Sequence, residues 1–230
     1  DETGLALIWP AAGVGVLWVA LVRGPHPLVA SGLLAVLAGV LNGVTGAGLG
    51  VGAALGVANG LQAWVWCRVM CTIQRHLGRD PLRVRGPADL IAATVAALVA
   101  AALGALVAGT ALAVADHAAL APLIGQWVAR NAVGILVVGA PALVLADPAR
   151  ARLGDRRPRR VAEAAVAVLV AAAVYLAFFA TVTSPAAAFL LLPVGIVVAE
   201  RYGAATGGAY TLVSGTVVVW CTLVGVGPLA

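Results

Sequence analysis

One charge stands deep in an apolar run of this 230-residue chain: Arg130, in the stretch Gln126-Trp127-Val128-Ala129-Arg130-Asn131. If the run Pro122–Ala146 crosses a membrane, Arg130 lies eight residues in, about 12 Å deep at 1.5 Å per residue. An arginine at the centre of a span costs on the order of 3 kcal/mol or more. No intramembrane carboxylate is at hand to pair with it, because Asp116 ends the preceding run and Glu163 begins the following one. Two readings stay open. The guanidinium snorkels to the outer headgroups, or it faces an anionic or carbonyl-bearing ligand in an outward cavity.

Amides accompany it. Trp127, Asn131, Gly134 and Pro141 fall on one helical stripe, and Gln126 sits one turn before Arg130. An earlier run places Asn59, Gln62 and Trp66 at i, i+3 and i+7, again on one face. Amide groups in hydrocarbon need partners, so both stripes should turn toward the bundle interior. They serve either as interhelical glue or as a polar site that holds a ligand and couples helix motion. The same earlier run carries Gly48, Gly52, Gly56 and Gly60 at i+4 spacing. Small residues so spaced let another backbone approach closely, and the run holding Arg130 is the first choice of partner.

Other chemistry is thin. Cys67 and Cys71 share a helix face near His76, but a zinc site there would need a further ligand that the neighbourhood lacks. Pro25-His26-Pro27 reads as a turn and Asp116-His117 as solvated loop. With Cys221, the three cysteines are too few and too scattered for a disulfide framework. There is no Ser–His–Asp order, phosphate loop or metalloprotease helix motif. The expectation is a chain with no catalytic constellation, no metal and no cofactor.

The elements that position these groups follow from composition. The hydrophobic set makes up 63% of the chain, charged residues 10%, and mean hydropathy is +1.06. A soluble domain covers its surface with about a quarter charged residues, so a cytosolic globule, a disordered chain and a disulfide-stapled module are excluded. An outer-membrane barrel would show segments of ~10 residues with alternating polarity, whereas these runs are continuous. The fold class is therefore all-α: a polytopic transmembrane helical bundle. A span needs about 20 apolar residues, with a floor near 17. Eight segments are expected: Leu5–Val22, Leu28–Thr45, Leu49–Trp66, Leu90–Val114, Pro122–Ala146, Val161–Ala180, the short Ala186–Ala199, and Ala204–Val224.

All 14 basic residues are Arg, and they sort by loop. The first loop holds Arg23 and His26. The third holds Arg75, Arg79, Arg83 and Arg85. The fifth holds Arg150, Arg152, Arg156, Arg157, Arg159 and Arg160, and the seventh Arg201. The even loops hold none. Odd loops are thus expected in the cytoplasm of a bacterial inner-membrane protein, with both ends of this chain outside. The +5 net charge then reflects loops that face anionic lipid, not nucleic acid. The chain begins without Met and is expected to be a piece of a longer protein.

Four patterns, in order along nearly the whole chain, resemble the bacterial membrane-associated sensor domain MASE1. They are Ile8-Trp9-Pro10-Ala11-Ala12-Gly13 opening the first span; Asn59-Gly60-Leu61-Gln62 followed by Arg68 and Arg75; Trp127 to Gly134 with Pro141 beyond; and Glu200-Arg201-Tyr202-Gly203 before a closing Gly225 to Ala230. Where that family often has an acidic residue at the position of Asn131, and sometimes at that of Gln62, this chain has amides. The resemblance implies one sensory input domain over residues 1–230, joined to a cytoplasmic histidine kinase, diguanylate cyclase, phosphodiesterase or phosphatase. It also implies a helix before residue 1 and at least one after residue 230. In the full-length protein a homodimer is expected, in contact with membrane lipids and with a small-molecule or protein signal. The rival readings are a transporter or permease subunit, which should show paired broken helices in an internal repeat, and a lipid transferase, which should show acid/base residues at the membrane.

Overall fold

The computed structural model describes residues 9–22, 26–116, 119–147, 158–181 and 192–226. Among these there is no strand, and the all-α class holds. The helices are α1 (Pro10–Leu21), α2 (Pro27–Asn42), α3 (Leu49–His76), α4 (Pro87–Asp116), α5 (Leu120–Gly134), α6 (Ala140–Leu145), α7 (Pro158–Thr181), α8 (Leu192–Tyr202) and α9 (Ala204–Leu223). Five stretches are long and apolar enough to cross a membrane: Pro27–Ala47, Pro87–Asp116, Leu120–Leu145, Arg160–Thr181 and Ala204–Thr222. The expected count of eight is looser than this. The third expected span is helical, and at 28 residues α3 is long enough, but its glycines, amides and indoles leave it less apolar than the five. The described part of the first is the 12-residue α1. Of the seventh, residues 186–191 lie outside the described residues, as do Arg23, Arg150, Arg152, Arg156 and Arg157.

The chain divides into two compact units at Ala140/Pro141. In the first, α2 and α3 form a tight hairpin. A wide turn over Gly43–Ala47 ends α2, and Gly46 (φ 118°) and Gly48 (φ 75°) reverse the chain with backbone angles that residues bearing a Cβ rarely adopt. The small residues Ser31, Ala35 and Gly39 of α2, continued by Gly43, then lie against Gly52, Gly56 and Gly60 of α3. A Cβ on Gly52 would stand 2.6 Å from the Gly43 amide nitrogen. One on Gly56 would meet the Ala35 carbonyl and stand 2.6 Å from the Gly39 nitrogen, and one on Gly60 would stand 2.6 Å from the Ser31 carbonyl. Gly52, Gly56 and Gly60 thus face α2, and not α5, the expected partner. Gly48 is not part of it: it sits at the turn, and a Cβ there would meet nothing within 4 Å.

Next to this hairpin, α4 beyond the buried Asp89 of its first turn presents a buried face of small residues only. Ala92, Ala93, Ala96, Ala97, Ala100, Ala101, Gly104, Ala105, Ala108 and Gly109 are all buried. Here α3 and α5 pack on α4, with Leu55, Ala58, Ala105, Ala108 and Trp127 in one apolar cluster. Between α5 and α6 the helix widens into a π turn, Ile135–Gly139. Pro141 explains it: its ring removes an N–H and crowds the carbonyl four residues back, so the helix absorbs the misfit upstream.

In the second unit, α7, α8 and α9 share a core of Ala171, Tyr175, Phe179, Val198, Tyr210 and Cys221. The Tyr210 hydroxyl donates to that of Tyr175 at 3.1 Å, and the two rings meet edge-on. Gly203 (φ 89°) turns the chain from α8 into α9.

Candidate functional site

The two amide stripes meet. Gln62, 1% exposed, donates from Nε2 to Oδ1 of Asn131 at 3.3 Å, and Asn131, 0% exposed, donates from Nδ2 to the Trp127 carbonyl one turn earlier at 3.0 Å. This side-chain bond joins α3 to α5, both of which pack on α4. Two further polar atoms at the junction are buried without a hydrogen-bond partner among the described residues: Oε1 of Gln62, an acceptor, and Nε1 of Trp127, a donor. Both flank Gly104 of α4. A Cβ built there would stand 3.1 Å from Gln62 Oε1, 3.3 Å from Trp127 Nε1 and 3.3 Å from the Ala58 carbonyl. Gly104 thus makes room for an unmatched donor and an unmatched acceptor, at a cost of roughly 1–3 kcal/mol for each unmade bond.

Arg130 has a partner that neither sequence reading supplied. Its guanidinium carbon lies 5.2 Å from the Trp9 ring centroid and 5.5 Å from that of Trp127, so the charge is held between two indoles. Cation–π contacts are each worth about 0.5–1 kcal/mol when exposed and about 2 when desolvated. Two of them offset part of the burial cost that made Arg130 puzzling, while its Nε is buried without a hydrogen-bond partner among the described residues. The backbone reinforces the contact, since the Trp9 N–H donates to the Arg130 carbonyl at 3.1 Å. Glycines let the segments approach this closely. A Cβ on Gly134 would collide with the Trp9 carbonyl, and one on Gly13 with the Gly134 carbonyl. The Trp-Pro-x-x-Gly opening of α1 and the Arg130–Gly134 stretch of α5 are therefore two halves of one contact.

The remaining expected residues stand apart from this junction. Trp66 is fully buried and donates from Nε1 to the Ala93 carbonyl at 3.2 Å, which ties α3 to α4. Asn59 is half-buried and donates to Leu55 O of its own helix at 2.8 Å. No group of three metal-ligating side chains occurs among the described residues. Cys67, Cys71 and Cys221 are free.

A second polar cluster was missed. At the end of α3, the fully buried Gln74 receives the Leu82 N–H on Oε1 at 2.7 Å. Its Nε2 donates to the Arg83 carbonyl at 2.6 Å and to Asp89 Oδ1 at 3.1 Å. Asp89 Oδ2 accepts from Arg79 at 3.1 Å and from the backbone N–H groups of Arg85 and Gly86 at 3.1 and 3.2 Å. The signal available beforehand was an acidic residue at the start of a very apolar helix, where it can cap the connector.

These features are those of a multi-pass membrane bundle with a buried polar junction and no assembled acid/base or nucleophile set among its described residues. No curated protein and no solved structure matches the chain. The MASE1 family model does, over residues 1–230, and the chain therefore belongs to MASE1, a family of membrane-associated sensor domains.

Proposed function

We propose that this chain is the input region of a bacterial signal-transduction protein of the inner membrane, with its odd-numbered loops in the cytoplasm. It passes its signal to a cytoplasmic histidine kinase, a cyclase or phosphodiesterase of cyclic di-GMP, or a phosphatase, in a protein that works as a homodimer. The coupling runs through the Gln62–Asn131 junction. The observation that carries this is the unmatched pair beside Gly104. A signal shifts an equilibrium only by favouring one of two arrangements. At this point one is visible, with Gln62 bonded to Asn131. A second is close by, with the Trp127 N–H donating to Gln62 Oε1 after a small shift of α5 along α3. The Arg130–Trp9 contact, on the next residues of α5, carries the same shift to α1.

The test is the output of the full-length protein with and without the inducing condition, normalised to membrane abundance. Gln62→Ala, Asn131→Ala and Trp127→Phe, the last of which keeps the ring bulk and loses the N–H, should each fix the output high or low. Asn59→Ala removes an amide spent on its own helix and should leave the response ratio unchanged. If the junction is glue alone, the first three variants lose only about 0.5–1.5 kcal/mol of stability and respond normally. That result would refute the coupling role.

A further inference from the structure

The connector between α3 and α4 is the other place where charged side chains converge. Its backbone is fixed from within by the Gln74 and Asp89 bonds described above, with Val84 buried beneath it and Leu82 held at φ 54°. Around this scaffold lies a recess of about 280 Å³ lined by Gly78, Arg79, Asp80, Arg83, Arg85 and Asp89. Two guanidinium groups address the same atom in it. Arg85 reaches Oδ2 of Asp80 at 2.8 Å and Arg83 reaches that oxygen at 3.6 Å. Arg79 stands at the rim, bound to Asp89.

The two carboxylates are unlike each other. Asp89 has a 4% exposed side chain and is saturated with donors, two of them backbone N–H groups, so it belongs to the scaffold. Asp80 has a 58% exposed side chain and holds only arginines among its ion pairs. Exposed pairs of this kind contribute little, so its carboxylate is easily displaced. The arginines that converge on it start from a backbone that is already ordered, which removes much of the ordering cost of binding.

We propose that this recess binds a phosphate-class anion, which seats an oxygen where Asp80 Oδ2 now lies. Arg83 and Arg85 clasp it, and Arg79 closes the rim. A phosphate presents several oxygens to planar guanidinium forks and matches them better than one aspartate does. With Asp80 swung outward, the forks of Arg83 and Arg85 present several N–H donors to the recess, which suits the several oxygens of a phosphate. The connector joins α3 to the apolar start of α4, so the recess lies at the boundary between bilayer and water. Both an anionic lipid headgroup and a soluble phosphate reach that position.

The experiment uses the full-length protein in phosphatidylcholine nanodiscs and has two arms. In one, phosphatidylglycerol is mixed into the disc, and the lipid retained by the protein is counted by native mass spectrometry. In the other, inorganic phosphate is titrated at constant ionic strength, with amide exchange of residues 79–86 as readout. Preferential retention of phosphatidylglycerol identifies a headgroup site, and protection by phosphate identifies a soluble ligand. In the arm that responds, Arg83→Gln with Arg85→Gln should weaken binding by about tenfold or more, the loss expected for charge-assisted hydrogen bonds. Asp80→Asn should strengthen it, because the competing carboxylate is gone. Arg75→Gln, an exposed arginine at the end of α3, should change it less than twofold. Should the double variant fail to fold, Asp80→Asn still decides, since it alters only an exposed side chain. The proposal is overturned if neither anion binds, if Arg75→Gln weakens binding as much as the double change, or if Asp80→Asn weakens it or leaves it unchanged.

Discussion

Gly56→Ala puts the α2–α3 hairpin to a quantitative test. The added methyl would meet backbone on the facing helix: the Ala35 carbonyl, the Gly39 nitrogen at 2.6 Å and the Gly39 Cα at 2.7 Å. Ordinary contact begins near 3.4 Å, and neither backbone has a rotamer with which to yield, so the helices must part by at least roughly 0.8 Å, and by more at the Ala35 carbonyl. A gap of that size forfeits about a quarter to a half of the dispersion well for each pair of atoms it separates. The separation is felt at Gly52 and Gly60 as well, since all three lie on one stripe. Overpacking of this kind costs about 1–3 kcal/mol, and helix propensity returns about 1 kcal/mol for Gly to Ala. The net expectation is a loss of up to about 2 kcal/mol. Gly50→Ala, six residues earlier on the same helix, meets nothing within 4 Å and should gain up to about 1 kcal/mol. Reversible unfolding of the two variants in nanodiscs measures the difference. If both shift stability by the same amount and sign, close backbone contact is not what the stripe is for.

Other perturbations separate the remaining contacts. A double-mutant cycle on Trp9→Leu and Arg130→Gln should return a coupling of about 0.5–2 kcal/mol in unfolding experiments, and additivity would deny the cation–π contact. Asp89→Ala should cost about 3 kcal/mol or more and raise amide exchange across 79–86, because the buried Gln74 and two backbone N–H groups lose their acceptor. Unchanged exchange there would show that the carboxylate does not hold the connector. In a cysteine-free background, Ala119→Cys should be labelled from outside intact cells and Leu77→Cys should not, and the reverse pattern inverts the orientation drawn from the arginine loops.

What could be read from the sequence divides along a physical line. The meeting of Gln62 and Asn131 was legible, because an amide in an apolar span has few places to go except toward another amide. The role of the glycine stripe was legible too, but its partner was not. Any helix with small residues at i+4 fits such a face, and Ser31, Ala35, Gly39 and Gly43 had that spacing all along. Gly48 shares the spacing but not the helix, since periodicity cannot tell the last residue of a turn from the first of a stripe. Trp9 as the partner of Arg130 lay beyond reach, because 121 positions separate them and nothing local marks the pairing. Gln74 escaped notice for a similar reason: its bonds go mostly to backbone groups of a connector whose path only the folded chain defines.

The inner face of α4 has a mechanical meaning. Alanine and glycine have no side-chain torsions to freeze, so this face is packed with almost no loss of rotamer entropy. They also raise no ridges tall enough to interlock. A neighbour with large side chains would have to unseat and re-seat each of them to move by one register, whereas a rod pressed on a row of methyl groups meets a nearly smooth wall. In this first unit α4 offers Leu55 of α3 and Trp127 of α5 a wall with little to interlock, so the large side chains of that cluster come from its neighbours. Against so smooth a wall, the position of α3 and α5 along α4 is fixed chiefly where polar atoms catch, as at Trp66 with the Ala93 carbonyl.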